Sequence, residues 1–287
     1  MQSLYDISAP AKLNLFLHIV GRRADGYHLL QSAFMLIDWC DTLHFDIRAD
    51  GGISREDLTL PLPPDDLMVR AARALQQATR CPMGVHMGVA KSIPAQAGMG
   101  GGSSDAASTL LALNRLWQLN LSLEQLTRIG LSLGADVPFF LSGRNAWVEG
   151  VGEQITPIEI PSARFVVVKP EAGLDTKLIF SDPQLKRDTK PAIISGFAAD
   201  VFGFGQNDMQ EVAVRLCTGV SQALRWLEMH GLKGKMTGSG SAVFAKLAAQ
   251  AALTGEHCGM EVKVCSNLDV HPLLGWACSQ DKSVAGV

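Results

Sequence analysis

Four glycines, Gly98, Gly100, Gly101 and Gly102, fall within five residues and lead directly into Ser103-Ser104. Glycine tolerates positive φ and lets a ligand approach the backbone without meeting a Cβ atom. Where a helix follows, its free first-turn amides and partial positive charge favour a phosphate. The segment Pro94-Ala95-Gln96-Ala97-Gly98-Met99-Gly100-Gly101-Gly102-Ser103-Ser104 is therefore a candidate phosphate cradle. It is not the P-loop pattern, which needs Gly-Lys-Ser/Thr where this chain has Gly102-Ser103-Ser104. Nor is it the dinucleotide fingerprint, because no glycine follows Gly100 or Gly102 by three places. The plainer alternative is a flexible turn with a Ser or Asp helix cap, for which so many glycines are not needed.

Chemistry on a bound phosphate also needs a proton acceptor and a counter-charge. Lys12 and Asn14 share one face of an alternating run, about 6.6 Å apart, as two lining groups of a polar cleft would. Read singly, Lys12 is a snorkelling strand lysine and Asn14 a satisfied polar residue. Asp136, after Gly134, is either a helix cap or a carboxylate placed to take a proton. Tyr27 and His28, after Asp25-Gly26, are either the far side of a tight turn or a ring and a polar edge for a planar ligand.

These residues need elements to hold them. From Lys12 to Val20 the alternation of Leu13, Leu15, Leu17 and Ile19 predicts a strand with one leucine face toward a core. Ala33–Trp39 and Leu43–Ile47 read as strands joined by a turn at Asp41-Thr42. Asp65-Asp66 opens a helix reaching about Gln77, and a strand at Gly84–Lys91 leads to the glycine segment. A helix is expected after Asp105, reaching about Trp117. Ser122 and Gln125 form a capping box for the next helix, which ends near Gly134. Further strands are expected at Asn145–Val151, Arg164–Lys169, Ala242–Lys246 and Glu261–Ser266. Helices are expected at about Asn207–Cys217 and Gly219–His230, with an Ala-rich one between the last two strands. Pro157 and Pro161 suggest a boundary between lobes spanning 1–156 and 157–287. The tail beyond Trp276 is expected to fray. The mixed order favours α+β over a doubly wound sheet.

Composition narrows the partners. The chain has 287 residues with 25 basic and 28 acidic side chains, a net charge of −3. The basic residues are scattered, which argues against a nucleic-acid partner and leaves a small anionic ligand open. Six dispersed cysteines form no CxxC pair and no zinc spacing, so reduced thiols in a cytoplasmic protein are expected. The first residues lack the order of a signal peptide, and no apolar run is long enough to span a bilayer.

Pro94, Gly98, Gly100, Ser103 and Ser104 fall in register on Pro-x-x-x-Gly-x-Gly-x-x-Ser-Ser, the phosphate loop of the GHMP kinases. The chain resembles that superfamily over nearly its whole length, to about Leu273. Pro10-Ala11-Lys12-Leu13-Asn14, Asp25-Gly26-Tyr27-His28, Gly134-Ala135-Asp136-Val137-Pro138, Gln206-Asn207-Asp208 and Lys235-Met236-Thr237-Gly238-Ser239-Gly240 sharpen the likeness. They point to the branch that phosphorylates a cytidine-bearing methylerythritol in the non-mevalonate route to isoprenoid precursors.

The resemblance implies a two-lobed α+β fold with substrate and ATP in the cleft between lobes. It implies Asp136 as catalytic base for the tertiary 2-hydroxyl, Lys12 as its partner, and the segment from Pro94 to Ser104 as the ATP phosphate site. It also implies Asn14, Tyr27, His28 and Asp136 as acceptor-binding residues, with Tyr27 stacking on the cytosine and His28 bonding its edge. Asp175 and Thr176 would lie near the substrate's other end, and Gly238 and Gly240 would form a second loop closing over the site. Without a carboxylate cage in the sequence, Mg²⁺ is expected to ride mainly on the nucleotide, with Ser103 or Ser104 as candidate protein ligands. One departure is Gln96, where the family commonly has glycine, so a narrowed entrance or altered loop mobility is expected. The alternatives are another GHMP kinase acting on homoserine or mevalonate, a silent nucleotide-binding protein, and a dinucleotide oxidoreductase. Tyr27-His28 counts against the first, Lys12 with Asp136 against the second, and the failed fingerprint against the third.

Overall fold

The computed structural model describes residues 2–248 and 259–278. Its strands are β1 (Ser3–Arg22), β2 (His28–Arg48), β3 (Ile53–Asp57), β4 (Gly84–Ala90), β5 (Ala146–Gly150), β6 (Gln154–Pro157), β7 (Arg164–Lys169), β8 (Lys235–Met236), β9 (Val243–Leu247) and β10 (Glu261–Ser266). The helices are α1 (Leu67–Thr79), α2 (Gly101–Leu116), α3 (Leu123–Leu133), α4 (Val137–Ser142), α5 (Thr176–Ser181), α6 (Ile194–Ala199), α7 (Gln210–Leu216) and α8 (Thr218–Met229). One sheet runs β3-β4-β2-β5-β6 with β1 laid along β2, and a second runs β10-β7-β9-β8. The fold is α+β, as the order of elements suggests.

Strand alternation builds the layers. In β2, Phe34 and Leu36 face a core shared with α1 to α4, while Ala33, Met35, Ile37 and Trp39 face a second core between the sheets. In β7, Phe165 and Val167 close that middle core, while Val166 and Val168 face a third core with α7 and α8. The period of two thus sandwiches both sheets between two helical layers. Caps follow the sequence: Asp66 accepts from the Val69 amide at the start of α1, and Ser122 with Gln125 forms the expected capping box on α3. Each such cap contributes about 1 kcal/mol.

The single leucine face expected in β1 is corrected by a bulge. Asn14 pairs with Phe34 but Leu17 pairs with Ser32, so one extra residue enters β1 between them. Before the bulge Leu13 and Leu15 point into the middle core, and after it Phe16 takes that side. Leu17 and Ile19 are thereby turned to the third core. As a result Leu17 joins Lys12 and Asn14 in lining a cavity. The Ala-rich helix expected before β10 and the tail from residue 279 lie outside the described residues.

The expected turn at Asp41-Thr42 is also corrected, since β2 runs unbroken through it. Asp41 is fully buried and accepts from the Ser92 and Ile93 amides at 2.6 and 2.8 Å. The Lys91 ammonium pairs with Asp41 and, at 2.6 Å, with Asp105 in the first turns of α2. One buried cluster therefore holds both ends of the glycine segment. Burial pushes the Asp105 carboxyl up to about 7, Lys91 opposing and Asp41 reinforcing. The Asp105 carboxyl thus holds its proton more tightly in the folded than in the unfolded chain.

A raised acid pKa adds stability that is fully present below the ordinary value and lost as pH rises through about 7. Asp105→Asn, a permanent stand-in for the protonated acid, should therefore gain on the parent as pH climbs from about 5 to about 8. Lys91→Met should cost about 3–5 kcal/mol by stranding buried charge. Urea midpoints of the variants at both pH values check this, and parallel curves for parent and Asp105→Asn would contradict a raised Asp105 pKa.

Candidate active site

The site is assembled around Lys12. Its backbone N–H donates to Met99 O at 3.0 Å, tying β1 to the glycine segment. Its ammonium donates to Asn14 Oδ1 at 2.5 Å, lies 4.6 Å over the Phe34 ring, and stands 3.7 Å from Asp136 Oδ2. The last distance is ionic contact but too long for a hydrogen bond. Burial lowers the Lys12 pKa, and the charge of Asp136 only partly restores it. Asn14 is held in turn, its amide donating to Ser32 Oγ at 2.9 Å. The Ser32 hydroxyl donates to Phe16 O at the bulge.

Asp136 occupies the N-cap position of α4, yet its side chain makes no capping bond. The carboxylate is spent instead on Lys12, on the cavity wall.

The glycine segment begins its helix earlier than expected. Gly100, with φ 73°, is the N-cap of α2, and Gly101 to Ser104 form its first turn. No side chain caps this end, and the Ser104 N–H donates to Gly100 O at 2.9 Å. The amides of Gly101 to Ser103 thus lie before the intrahelical ladder, as an anion site requires. Ala97 and Met99 bury their side chains in the middle core and anchor the segment rather than line a site. Ser104 is buried with an unpartnered hydroxyl, while Ser103 is part exposed.

A second loop, residues 237–241, presses backbone to backbone against the first. A Cβ on Gly98 would stand 2.2 Å from Thr237 O, and one on Gly238 would stand 2.6 Å from Gly98 O. Thr237 Oγ1 accepts from the Asn14 backbone N–H at 2.9 Å and lies 3.4 Å from Gly98 O, so three segments meet at one hydroxyl. Gln96 sits at the edge of this contact with φ 51°, which explains why glycine suits that position. Its backbone carbonyl accepts from the Ser241 amide at 3.1 Å. Its exposed side chain lies against Gly173, where an added Cβ would come within 2.1 Å of Oε1.

A cavity of about 790 Å³ opens from this junction. Lys12, Asn14, Asp136, Gly98, Gly100 and Gly238 line it, and so do Tyr27 and His28. The remaining residues of the candidate cradle, Pro94 to Ala97, Met99 and Gly101 to Ser104, do not. Tyr27 is 64% exposed, and its amide donates to Asp25 Oδ1 at 3.2 Å in the preceding turn. The His28 ring stacks on Phe180, with centroids 4.6 Å apart and planes at 19°.

Phe180 and Lys177 also line the cavity and were not singled out in the sequence, and Ser239 of the second loop joins them. The helix α5 that carries Phe180 has only 6 residues, too few to show a period. Thr176 lines the cavity and shares a 2.7 Å hydrogen bond with Ser239, whereas Asp175 caps α5 through the Lys177 amide.

Known proteins match this arrangement. Residues 66–144 match the GHMP kinases N terminal domain and residues 190–253 the GHMP kinases C terminal. A 4-diphosphocytidyl-2-C-methyl-D-erythritol kinase of Albidiferax ferrireducens is 70% identical over 99% of both chains. The chain belongs to the GHMP kinases. Within that superfamily its family is that of the 4-diphosphocytidyl-2-C-methyl-D-erythritol kinases, an Acidovorax member being 65% identical over 96% of this chain and 99% of its own. A crystal structure of 4-(cytidine 5'-diphospho)-2C-methyl-D-erythritol kinase superposes with a TM-score of 0.75 at 32% identity, covering 91% of this chain and 98% of that one. A homoserine kinase from Cytophaga hutchinsonii shares the fold, with a TM-score of 0.71 at 14% identity, over 94% of this chain and 96% of that one.

The loop contact makes a sharp stability test. Gly238→Ala adds a Cβ against Gly98 backbone at a residue with φ 54°. It should cost about 1–3 kcal/mol. Gly102→Ala, inside α2, meets only Leu67 Cδ1 at 3.5 Å and should unfold at the parent midpoint or slightly above it. Thermal and urea midpoints check both, and a Gly238→Ala midpoint at the parent value would refute the contact.

Proposed function

We propose that this GHMP kinase transfers the γ-phosphoryl group of ATP to the 2-hydroxyl of 4-diphosphocytidyl-2-C-methyl-D-erythritol. The observation that carries the reading is a single cavity with Lys12, Asp136 and the two glycine loops at one part of its wall and Tyr27, His28 and Phe180 at another. That cavity suits an acceptor with an alcohol at one end and a planar base at the other. In this reading residues 1–156 and 157–287 form the two lobes, and the acceptor and ATP meet between them.

Asp136 accepts the proton of the 2-hydroxyl as its oxygen bonds to the γ-phosphorus and the bond to the β-phosphate oxygen breaks, releasing ADP. General-base assistance of this kind contributes about 10²–10⁴ in rate. Lys12, already out of water, stabilises negative charge developing on the attacking and transferring oxygens. Asn14 fixes the ammonium, and the free amides at the start of α2 hold the nucleotide's phosphates. Mg²⁺ would neutralise phosphate charge when bound. Among the described residues no three His, Cys, Asp or Glu side chains group as a metal cage, so nucleotide oxygens would carry most of its coordination. Ser103, part exposed in the first turn of α2, is the better-placed protein ligand, since the Ser104 hydroxyl is fully buried. The same reading makes the enzyme cytoplasmic, where its substrates are.

Mass spectrometry of mixtures of ATP, Mg²⁺ and one candidate acceptor tests the reaction. Phosphorylated product is expected from the cytidine-bearing acceptor and not from homoserine or mevalonate, and product only from either of those would overturn the proposal. Tyr27→Ala should raise the acceptor's Kd about tenfold, the effect of losing about 1.4 kcal/mol of stacking. An equal loss with an acceptor stripped of cytidine would assign Tyr27 to packing.

A further inference from the structure

Arg187 stands behind His28, outside the cavity lining, and its hydrogen bonds decide what His28 can offer a ligand. The guanidinium is fixed by three backbone carbonyls: Nη1 donates to Leu185 O at 2.9 Å, and Nη2 to Phe180 O at 3.0 Å and Asp182 O at 2.9 Å. Nε, turned to the other side, reaches His28 Nε2 at 3.1 Å. A guanidinium has donors and no acceptor, so the imidazole nitrogen facing it must accept. His28 Nε2 therefore carries no proton, and a neutral ring carries its proton on Nδ1. The Phe180 ring beneath it holds the plane in place.

Electrostatics keep the ring neutral. Burial lowers the His28 pKa, and the Arg187 and Arg22 charges lower it further. Asp25, the acid of the neighbouring turn, is engaged with Arg23 at 2.6 Å and with the Tyr27 amide. Protonation would put N–H groups on both nitrogens and set a cation against the guanidinium.

We propose that Arg187 is a positioning residue for acceptor specificity: it holds His28 as the Nδ1–H imidazole, so that the ring meets its ligand as a hydrogen-bond donor. This rests on the reading above that His28 meets the acceptor's base. A donor there favours a base edge rich in acceptors, such as the ring nitrogen and carbonyl of cytosine. It also makes Arg187 and the loop from Phe180 to Leu185 part of base recognition without touching the base.

The test uses the full chain with ¹⁵N-labelled histidine, the His28 signals being assigned by their loss in His28→Gln. In the parent, Nδ1 should show the shift of a protonated nitrogen and Nε2 that of an unprotonated one, unchanged down to below the ordinary histidine range. Arg187→Met should release the ring to the Nε2–H form, raise its titration toward the ordinary value, and weaken cytidine 5'-diphosphate binding about tenfold, one hydrogen bond's worth. KM for ATP and kcat at saturating acceptor should stay within about twofold, as a binding-only role requires. Arg187→Lys, which keeps a cationic donor, should restore most of the tautomer and the affinity. An Nε2–H ring in a parent that binds cytidine 5'-diphosphate would overturn the proposal alone. So would Arg187→Met binding as tightly as the parent. A parent that ignores the cytidine compound altogether would overturn the functional reading and this proposal with it.

Discussion

An ammonium has been taken almost wholly out of water at Lys12, without a carboxylate close enough to hydrogen-bond it. Burying such a charge costs several kcal/mol even after relaxation, and removing its compensation costs more. The compensation comes from separate parts of the chain: Asn14 on the same strand, the Phe34 ring on the next, and Asp136 at the start of α4. The glycine segment must then make room, because a Cβ on Gly100 would sit 3.3 Å from Lys12 Cε and 3.0 Å from the Phe140 ring. Much of the local architecture follows from seating this one buried ammonium on the cavity wall.

The second constraint is that two loops must touch without side chains between them. Gly98 and Gly238 bring backbone against backbone, and Thr237 ties that contact to β1 through the Asn14 backbone N–H. Interiors transmit displacement because they are close-packed, so a shift of the loop from Thr237 to Ser241 would be felt at the start of α2. The buried Lys91, Asp41 and Asp105 cluster resists such a shift from behind. Gln96 adds a side chain at the rim, against Gly173, and so couples the glycine segment to the stretch that precedes α5.

Regular periodicity and local capping made most of the elements legible. Strands at Arg164–Lys169 and Glu261–Ser266 and the capping box at Ser122 are local signals, and the structure repeats them. The misreadings arise where tertiary partners override local cues. Asp41 looks like a turn residue, but backbone amides 51 and 52 residues away satisfy it inside a continuous strand. The bulge after Asn14 adds one residue that no alternation count can anticipate, and it moves Leu17 to the cavity. The start of α2 lies inside the glycines because glycine is a poor helix former and gives no local signal of entry. Phe180 and Arg187 were invisible for a related reason: their meaning comes from His28, more than 150 residues away in sequence. Lys12, Asn14, Tyr27, His28 and Asp136, named from the motif likeness, line one cavity, and their supporting contacts had no local signal.

The claim at the centre is that Lys12 and Asp136 act as one unit on the transferred phosphoryl group. A double-mutant cycle in single-turnover kinetics measures this, using Asp136→Asn, Lys12→Met and the pair, each with its acceptor Kd. Each single variant should lose about 10²–10⁴ in rate with acceptor binding nearly intact, and the double variant should lose little more than the worse single. Rates within about tenfold of the parent for Asp136→Asn, or penalties that multiply in the double variant, would contradict a shared role.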